Sequence, residues 1–116
     1  VRDTGALTAI AETGCVLEYD TLGAEDSGMD YMGTELRMPT DGERLAALDF
    51  LVENGYEDRI VLAQDVCFQR RHTATGGHGF AHIIESIVPR LLARNYSRDQ
   101  VEKFLVRNPA KALAYA

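Results

Sequence analysis

Ile60-Val61-Leu62-Ala63-Gln64-Asp65 is a short, continuous apolar run that leads into a carboxylate. Apolar residues without alternation suit a strand buried on both faces of a parallel sheet. An isolated Asp at the end of such a strand must be desolvated, paired or bound to a metal, because burying a bare carboxylate is expensive. Asp65 is therefore a candidate metal ligand or general base, and the competing role is a cap for the loop that follows.

Upstream, Cys15-Val16-Leu17-Glu18-Tyr19-Asp20 repeats the pattern, a β-prone run closing on an acid. Here Thr21 and Gly23 follow closely, so an Asx-turn is a ready explanation for Asp20. Between the two runs, Thr40-Asp41-Gly42-Glu43 has the form of a capping box, with hydroxyl and carboxylate answering each other's backbone N–H groups. Leu45, Leu48, Leu51 and Val52 then recur at three- and four-residue spacing on one helical face, and Asn54-Gly55 closes the helix. Strand, helix, strand makes a parallel βαβ unit with a right-handed crossover. Chemistry in such folds sits at the C-terminal ends of the strands. Both acids occupy that position, and each leads into a long loop, residues 21–38 and 66–79. The first of these, acidic and carrying Gly23, Gly28 and Gly33, is expected to be a structureless connection of the kind that often belongs to a binding site.

The flanks are helical. Residues 6–13 read as the end of a helix, with Gly14 just past its C-cap. Helical periodicity runs from Ala81 to Arg94, where Pro89 forces a kink or a break. Ser97-Arg98-Asp99-Gln100 is a second capping box opening a helix through about Arg107, and Asn108-Pro109 reads as the N-cap and first position of a last short helix.

The whole chain has 116 residues, 46% hydrophobic and 26% charged, the composition of a globular protein rather than a disordered or collagen-like one. Two strands cannot cover both faces of a sheet, and this length cannot close an eight-stranded barrel of about 250 residues. Residues 1–116 are thus expected to be a single partial domain, the last piece of something larger, and the lack of an initial Met fits an N-terminus lying upstream.

A net charge of −6 argues against nucleic acid as a partner. The charge is uneven, with 15 acids and 4 bases in residues 1–65 against 3 acids and 8 bases in 66–116. The bases of the second part fall at helical spacing among apolar residues, as on a solvated face. No apolar run approaches the roughly 20 residues that span a bilayer, so no membrane partner is expected. Cys15 and Cys67 form no C-x-x-C pair, and two unpaired thiols suggest a reducing compartment, by default the cytoplasm.

His72, His78 and His82 are the only histidines. The last two are four apart, a spacing that can grip zinc, but the H-E-x-x-H pattern is absent and Gly79 interrupts any helix there. Substrate contact or loop packing is the better expectation. Gly76-Gly77-His78-Gly79 lacks the Lys-Ser/Thr of a phosphate-binding loop and the third glycine of a dinucleotide fingerprint, leaving a tight loop with positive φ. No Gly-x-Ser-x-Gly elbow or Cys–His pattern supports a nucleophilic Ser or Cys.

Ile60 to Asp65, Gly76-Gly77-His78-Gly79-Phe80-Ala81-His82-Ile83, Val88-Pro89-Arg90-Leu91-Leu92 and Asn108-Pro109-Ala110-Lys111-Ala112-Leu113 together resemble, in order, the C-terminal third of the phosphotriesterase family. Within it the phosphotriesterase-related branch is the most similar. The family belongs to the amidohydrolase superfamily of metal-dependent hydrolases. The resemblance implies an α/β fold, the C-terminal fragment of a TIM (β/α)8 barrel, with Cys15–Asp20 like its seventh strand and Ile60–Gln64 like its eighth. It implies two divalent metal ions, zinc expected, and a small-molecule substrate whose ester, lactone, phosphotriester or amide bond is cleaved by a metal-bridging hydroxide. A homodimer is compatible with it. Asp65 matches the aspartate that ligates the more buried metal and takes the hydroxide's proton, which makes it both metal ligand and catalytic residue. The segment from Val66 to Gly79 is like the loop over the substrate, so Phe68, His72 and His78 become candidate substrate contacts. His78 and His82 are not raised to metal ligands, because the family's histidine ligands come from earlier strands. Those earlier ligands lie outside this chain, so these 116 residues alone are expected to be inactive. The alternatives are a small non-catalytic α/β binding module using the acidic loop 21–38, and a family member that has lost its upstream ligands.

Overall fold

The computed structural model describes residues 3–25 and 28–114. Helix α1 (Thr4–Glu12) is a complete short helix rather than the tail of a longer one, because the Asp3 carboxylate caps the Gly5 N–H at its start. Gly14, at φ +84°, ends it in the left-handed turn anticipated for that residue. Strand β1 (Leu17–Tyr19) pairs in parallel with β4 (Ile60–Leu62), Leu17 opposite Ile60 and Tyr19 opposite Leu62. Both strands are shorter than their sequence runs. The pairing nonetheless continues past β4, where the Ala63 N–H donates to Tyr19 O and Ala63 O accepts from Leu22.

Residues 21–38 are not structureless. Strands β2 (Gly28–Tyr31) and β3 (Thr34–Arg37) form an antiparallel hairpin closed by Met32 and Gly33, whose φ angles of +53° and +80° are those of a type I′ turn. Met-Gly is not the Asn-Gly or Asp-Gly pair that announces such a turn, and every side chain of β3 is exposed, so no alternation betrays it. The binding-loop role imagined for this acidic segment loses its premise of an irregular connection.

Helix α2 (Asp41–Glu53) carries the expected capping box at both of its hydrogen bonds, and buries Leu45, Leu48 and Leu51. A single 3₁₀ turn (Glu57–Arg59) feeds β4, whose Ile60 is wholly buried while Val61 and Leu62 are half-buried. Neither face of the strand is fully covered along its length, since Leu62 shares the face of Ile60 and Val61 takes the other. Two further 3₁₀ turns, Gln69–Arg71 and Thr73–Thr75, fold the 66–79 loop.

Neither Pro89 nor Pro109 breaks its helix. A π turn (Ile83–Ile87) precedes α3 (Val88–Ala93), and a second (Lys103–Arg107) joins α4 (Arg98–Glu102) to α5 (Asn108–Leu113). In each, the residue before the proline donates five residues back, Val88 to Ile83 O and Asn108 to Lys103 O. Widening the turn accommodates a residue without an N–H. Asn108 is consequently a buried mid-helix residue and not an N-cap. Its Nδ2 donates to Glu57 O at 2.8 Å and Ile60 O at 2.7 Å, tying α5 to the start of β4.

The core joins Leu7 and Ala11 of α1, the leucines of α2, Ile60, and Ile87, Leu91, Val101 and Phe104 of the C-terminal helices. Among the described residues, no helix is long and apolar enough to cross a membrane.

Candidate functional site

The chain leaves β4 and turns sharply at Asp65, which adopts φ +45°, a left-handed conformation that Asp and Asn tolerate better than most residues. The turn is held by the main chain. Asp65 O accepts from Cys67 N at 2.9 Å and from Arg71 Nη1 at 2.6 Å. The side chain does not cap the loop: its carboxylate accepts no hydrogen bond from any described residue, and its nearest cation is Arg71, 4.0 Å from Oδ2. With 47% of that side chain exposed, the Asp65 carboxylate is open rather than buried, a hard oxygen donor at the C-terminal end of a parallel strand. That donor suits a divalent cation.

The 66–79 loop packs beside it. Gln64 Nε2 donates to Gly79 O at 2.6 Å, fastening the strand end to the glycine string. Gly77 is required by close approach, since a Cβ there would fall 2.2 Å from the Arg71 carbonyl carbon. Gly76 and Gly79 have φ of +88° and +73°, as the tight-loop expectation held. A cavity of about 230 Å³ opens between this loop and the segment after β1, lined by Gln64, Arg70, Arg71, Gly76 and His78 among others. Of the three candidate substrate contacts, His78 alone lines it. Phe68 is half-exposed beneath two guanidinium groups, with Arg70 Cζ at 4.7 Å and Arg71 Cζ at 5.6 Å from its ring centre. His72 is exposed and meets the Phe80 ring edge-on at 5.4 Å.

A buried polar knot lies behind the cavity. Asp41, 1% exposed, accepts from Gly23 N at 2.8 Å and pairs with His82 Nε2 at 2.8 Å. Arg44 and Arg90 add charges at 3.6 and 3.5 Å. Arg44 also donates to Thr21 Oγ1 at 2.7 Å and to the Pro39 carbonyl. Burial pushes its guanidinium below the usual range, against the pull of Asp41, Glu25 and Asp20, and Arg71 adds a smaller push in the same downward direction. His78 packs against His82 with ring centres 4.5 Å apart and planes tilted by 51°, and both rings crowd Gly23, where a Cβ would lie 2.9 Å from His82 Cδ2. The four-residue spacing of the two histidines therefore serves loop packing. Among the described residues no three His, Cys, Asp or Glu gather as a metal cluster, and Asp65 has no second such side chain beside it in one. Asp20 is exposed, its carboxylate accepting the neighbouring Thr21 N–H.

The sequence profile of the Phosphotriesterase family matches residues 1–113. The chain is 46% identical over 115 residues to the N-acetyltaurine hydrolase of Tetraodon nigroviridis, covering 99% of itself and 33% of that relative. Among solved structures it superimposes on a resiniferatoxin-binding protein from Rhodobacter sphaeroides with a TM-score of 0.86 and 30% identity, over 95% of this chain and 30% of that one. It also matches the organophosphorus hydrolase of Deinococcus radiodurans with a TM-score of 0.73 and 27% identity, over 98% of this chain and 35% of the other. The chain spans about a third of the length of the curated relatives it matches. Its parallel β1–β4 pair, with the helices around it, is an α/β portion of a TIM barrel of this kind. The chain belongs to the phosphotriesterase family.

Proposed function

We propose that this chain forms part of a metal-dependent hydrolase, that residues 1–116 are one portion of its single barrel domain, and that Asp65 is both a metal ligand and the proton acceptor of the reaction. The observation that carries this is the Asp65 carboxylate, held at the strand end by main-chain contacts and left without a hydrogen-bond donor of its own. A carboxylate oxygen at this strand end is one ligand that a divalent cation would accept, and zinc, which takes Asp oxygens as well as His nitrogens, is our first choice. Two such ions, when bound, supply activation of a water and polarisation of the bond to be cleaved.

Asp65 then does two things with one side chain. One carboxylate oxygen holds the cation. The carboxylate also accepts a proton from the attacking water and returns it to the leaving group, as a positioned general base. Arg71 on its carbonyl keeps the left-handed turn at Asp65 closed. An N-acyl amide is the substrate class we place first, given the 46% identical relative; esters, lactones and phosphotriesters follow.

The test uses the complete reading frame that carries this chain, its metal content, and a panel of N-acyl amides, lactones, esters and phosphotriesters. Asp65→Asn is expected to lower kcat by about 10²–10⁴ and to reduce the metal bound. The 116-residue chain alone, holding one ligand, is expected to turn nothing over. Full activity and full metal content in Asp65→Asn would overturn the assignment.

A further inference from the structure

We infer that Asp41 and His82 are positioning residues for Asp65. Their buried pair ties the loops after β1 and β4 to the first turn of α2, and through those loops it fixes the turn on which Asp65 sits. The inference rests on the reading of Asp65 as the reacting carboxylate and names the residues that hold it in place.

The pair is complete within these 116 residues. The Asp41 side chain is 1% exposed, that of His82 8% and that of Arg44 6%, so a neighbouring part of a barrel has nothing left here to cover. Asp41 divides one carboxylate between the two loops. Its Oδ1 accepts from Gly23 N, in the segment after β1, and its Oδ2 meets His82 Nε2, just past the segment after β4, each at 2.8 Å. A carboxylate only accepts, so His82 Nε2 is the donor. The first loop has two more ties to the same helical turn. Arg44 Nη2 donates to Thr21 Oγ1 at 2.7 Å, and Asp41 N donates to Glu25 Oε1 at 2.7 Å.

From this post both loops lead to Asp65. On one side Leu22, the neighbour of Gly23, donates to Ala63 O, two residues before Asp65. On the other, Gly79 lies three residues before His82. Its N–H donates to Arg71 O, its carbonyl accepts from Gln64 Nε2, and Arg71 Nη1 donates to Asp65 O. Asp65 needs such a frame, because a φ of +45° persists where the surroundings enforce it. Thr21 makes the same point on the other loop. It is a β-branched residue at φ +57°, a true outlier for its type, and Arg44 holds it by its hydroxyl.

Stability alone does not call for this arrangement. Helix α2 is already capped by Thr40 and Glu43. Replacing a whole buried ion pair by apolar residues of like volume is often neutral or stabilising, although removing one partner is not. What the charges add is direction: a hydrogen bond has a narrow range of length and angle, whereas apolar surfaces can slide. The two loops held in this way are those that leave the C-terminal ends of the parallel strands.

The experiment uses the full-length protein as wild type, His82→Leu, His82→Asn and His82→Gln. Asn108→Ala serves as a control that loses stability at the other end of β4, where Asn108 bonds Ile60 O. Glutamine sets a donor where Nε2 stands, leucine has none, and asparagine is too short to reach. With the best substrate of the panel, the Leu and Asn variants are expected to lose about ten- to a hundredfold in kcat, with KM within about twofold. His82→Gln restores kcat, and Asn108→Ala, assayed where it is folded, leaves it unchanged. Independently of activity, hydrogen exchange at the buried Gly79 amide is expected to quicken about tenfold or more in the Leu and Asn variants alone.

Unchanged Gly79 exchange, or unchanged kcat in an active enzyme, overturns the role when His82→Leu or His82→Asn is folded. So does an equal fall in kcat in Asn108→Ala, or a His82→Gln as slow as His82→Leu. If neither the Leu nor the Asn variant folds while Asn108→Ala does, the pair is a pillar of the fold and the positioning role falls too. Quickened Gly79 exchange in a protein whose wild type hydrolyses nothing upholds the tether, and the hydrolase reading alone fails.

Discussion

At the scale of single residues, the two acids that matter were visible to very different degrees. Asp65 stood out because it ends an apolar strand and no turn chemistry next to it accounts for its charge. Asp41 did not, since it lies inside a capping box that already explains an acid in the first helical turn. Only tertiary structure brings Gly23 and His82, 18 and 41 residues distant, onto its carboxylate. Removing one partner of a buried pair strands the other's charge, at a cost of about 3–5 kcal/mol. His82→Ala is therefore expected to destabilise the full-length protein by about that amount in urea, while the exposed Phe80→Ala costs under about 1 kcal/mol. Equal, small effects from the two substitutions would show that Arg44 and Gly23 suffice to hold Asp41.

Among the elements, helices and strands were legible wherever a local signal and the tertiary fold agree. Both capping boxes and the leucine face of α2 form as the spacing demands. Each proline lies in the first turn of its helix, as expected for Pro109. The π turns before them are not legible, because a chain has two remedies for a missing N–H, breaking the helix or widening it, and spacing alone does not choose. What chooses here is Asn108, whose bonds to Glu57 O and Ile60 O need α5 continuous with the turn before it. Asn108→Ala leaves two carbonyls short of a donor and is expected to cost about 2–4 kcal/mol, with Asn108→Asp no better, since a carboxylate cannot donate.

The same corner sets a pH dependence. Lys103 bonds Glu57 and Asp58, and those hydrogen bonds hold both carboxyls below their usual range while raising the lysine above its own. The carboxylates' contribution is present above their ordinary values of 4.5 and 3.8 and is lost as pH falls through the lower, folded ones. The lysine's contribution is present below its ordinary 10.5 and is lost as pH rises through the higher one. Lys103→Met should flatten the acid and alkaline limbs of the urea midpoint against pH. Unchanged limbs would mean that the exposed side of this cluster carries no net stability.

For the molecule as a whole, the sheet is the informative part. Strands β1 and β4 pair with each other and, among the described residues, with no other strand, whereas every strand of a closed barrel has two neighbours. The uncovered side of β1 is an apolar groove of about 680 Å³ between α1 and α2, lined by Ile10, Val16, Tyr19, Ala47 and Phe50 among others. Tyr19 lines it, and its hydroxyl is buried with no hydrogen-bond partner among the described residues; burial pushes its pKa up to about 12. A free strand edge next to an apolar groove invites pairing with another chain. Two strands leave such an edge unavoidably, since no arrangement of two covers a sheet made from such apolar runs. We expect the isolated 116-residue chain to bind a hydrophobic dye, to self-associate at micromolar concentration, and to exchange its β1 amides rapidly. In the full-length protein those amides should be among the slowest to exchange, because the neighbouring barrel units occupy the groove and supply the second edge. Fast exchange at Leu17 to Tyr19 in the full-length protein would show that the barrel closes elsewhere and that β1 remains an edge.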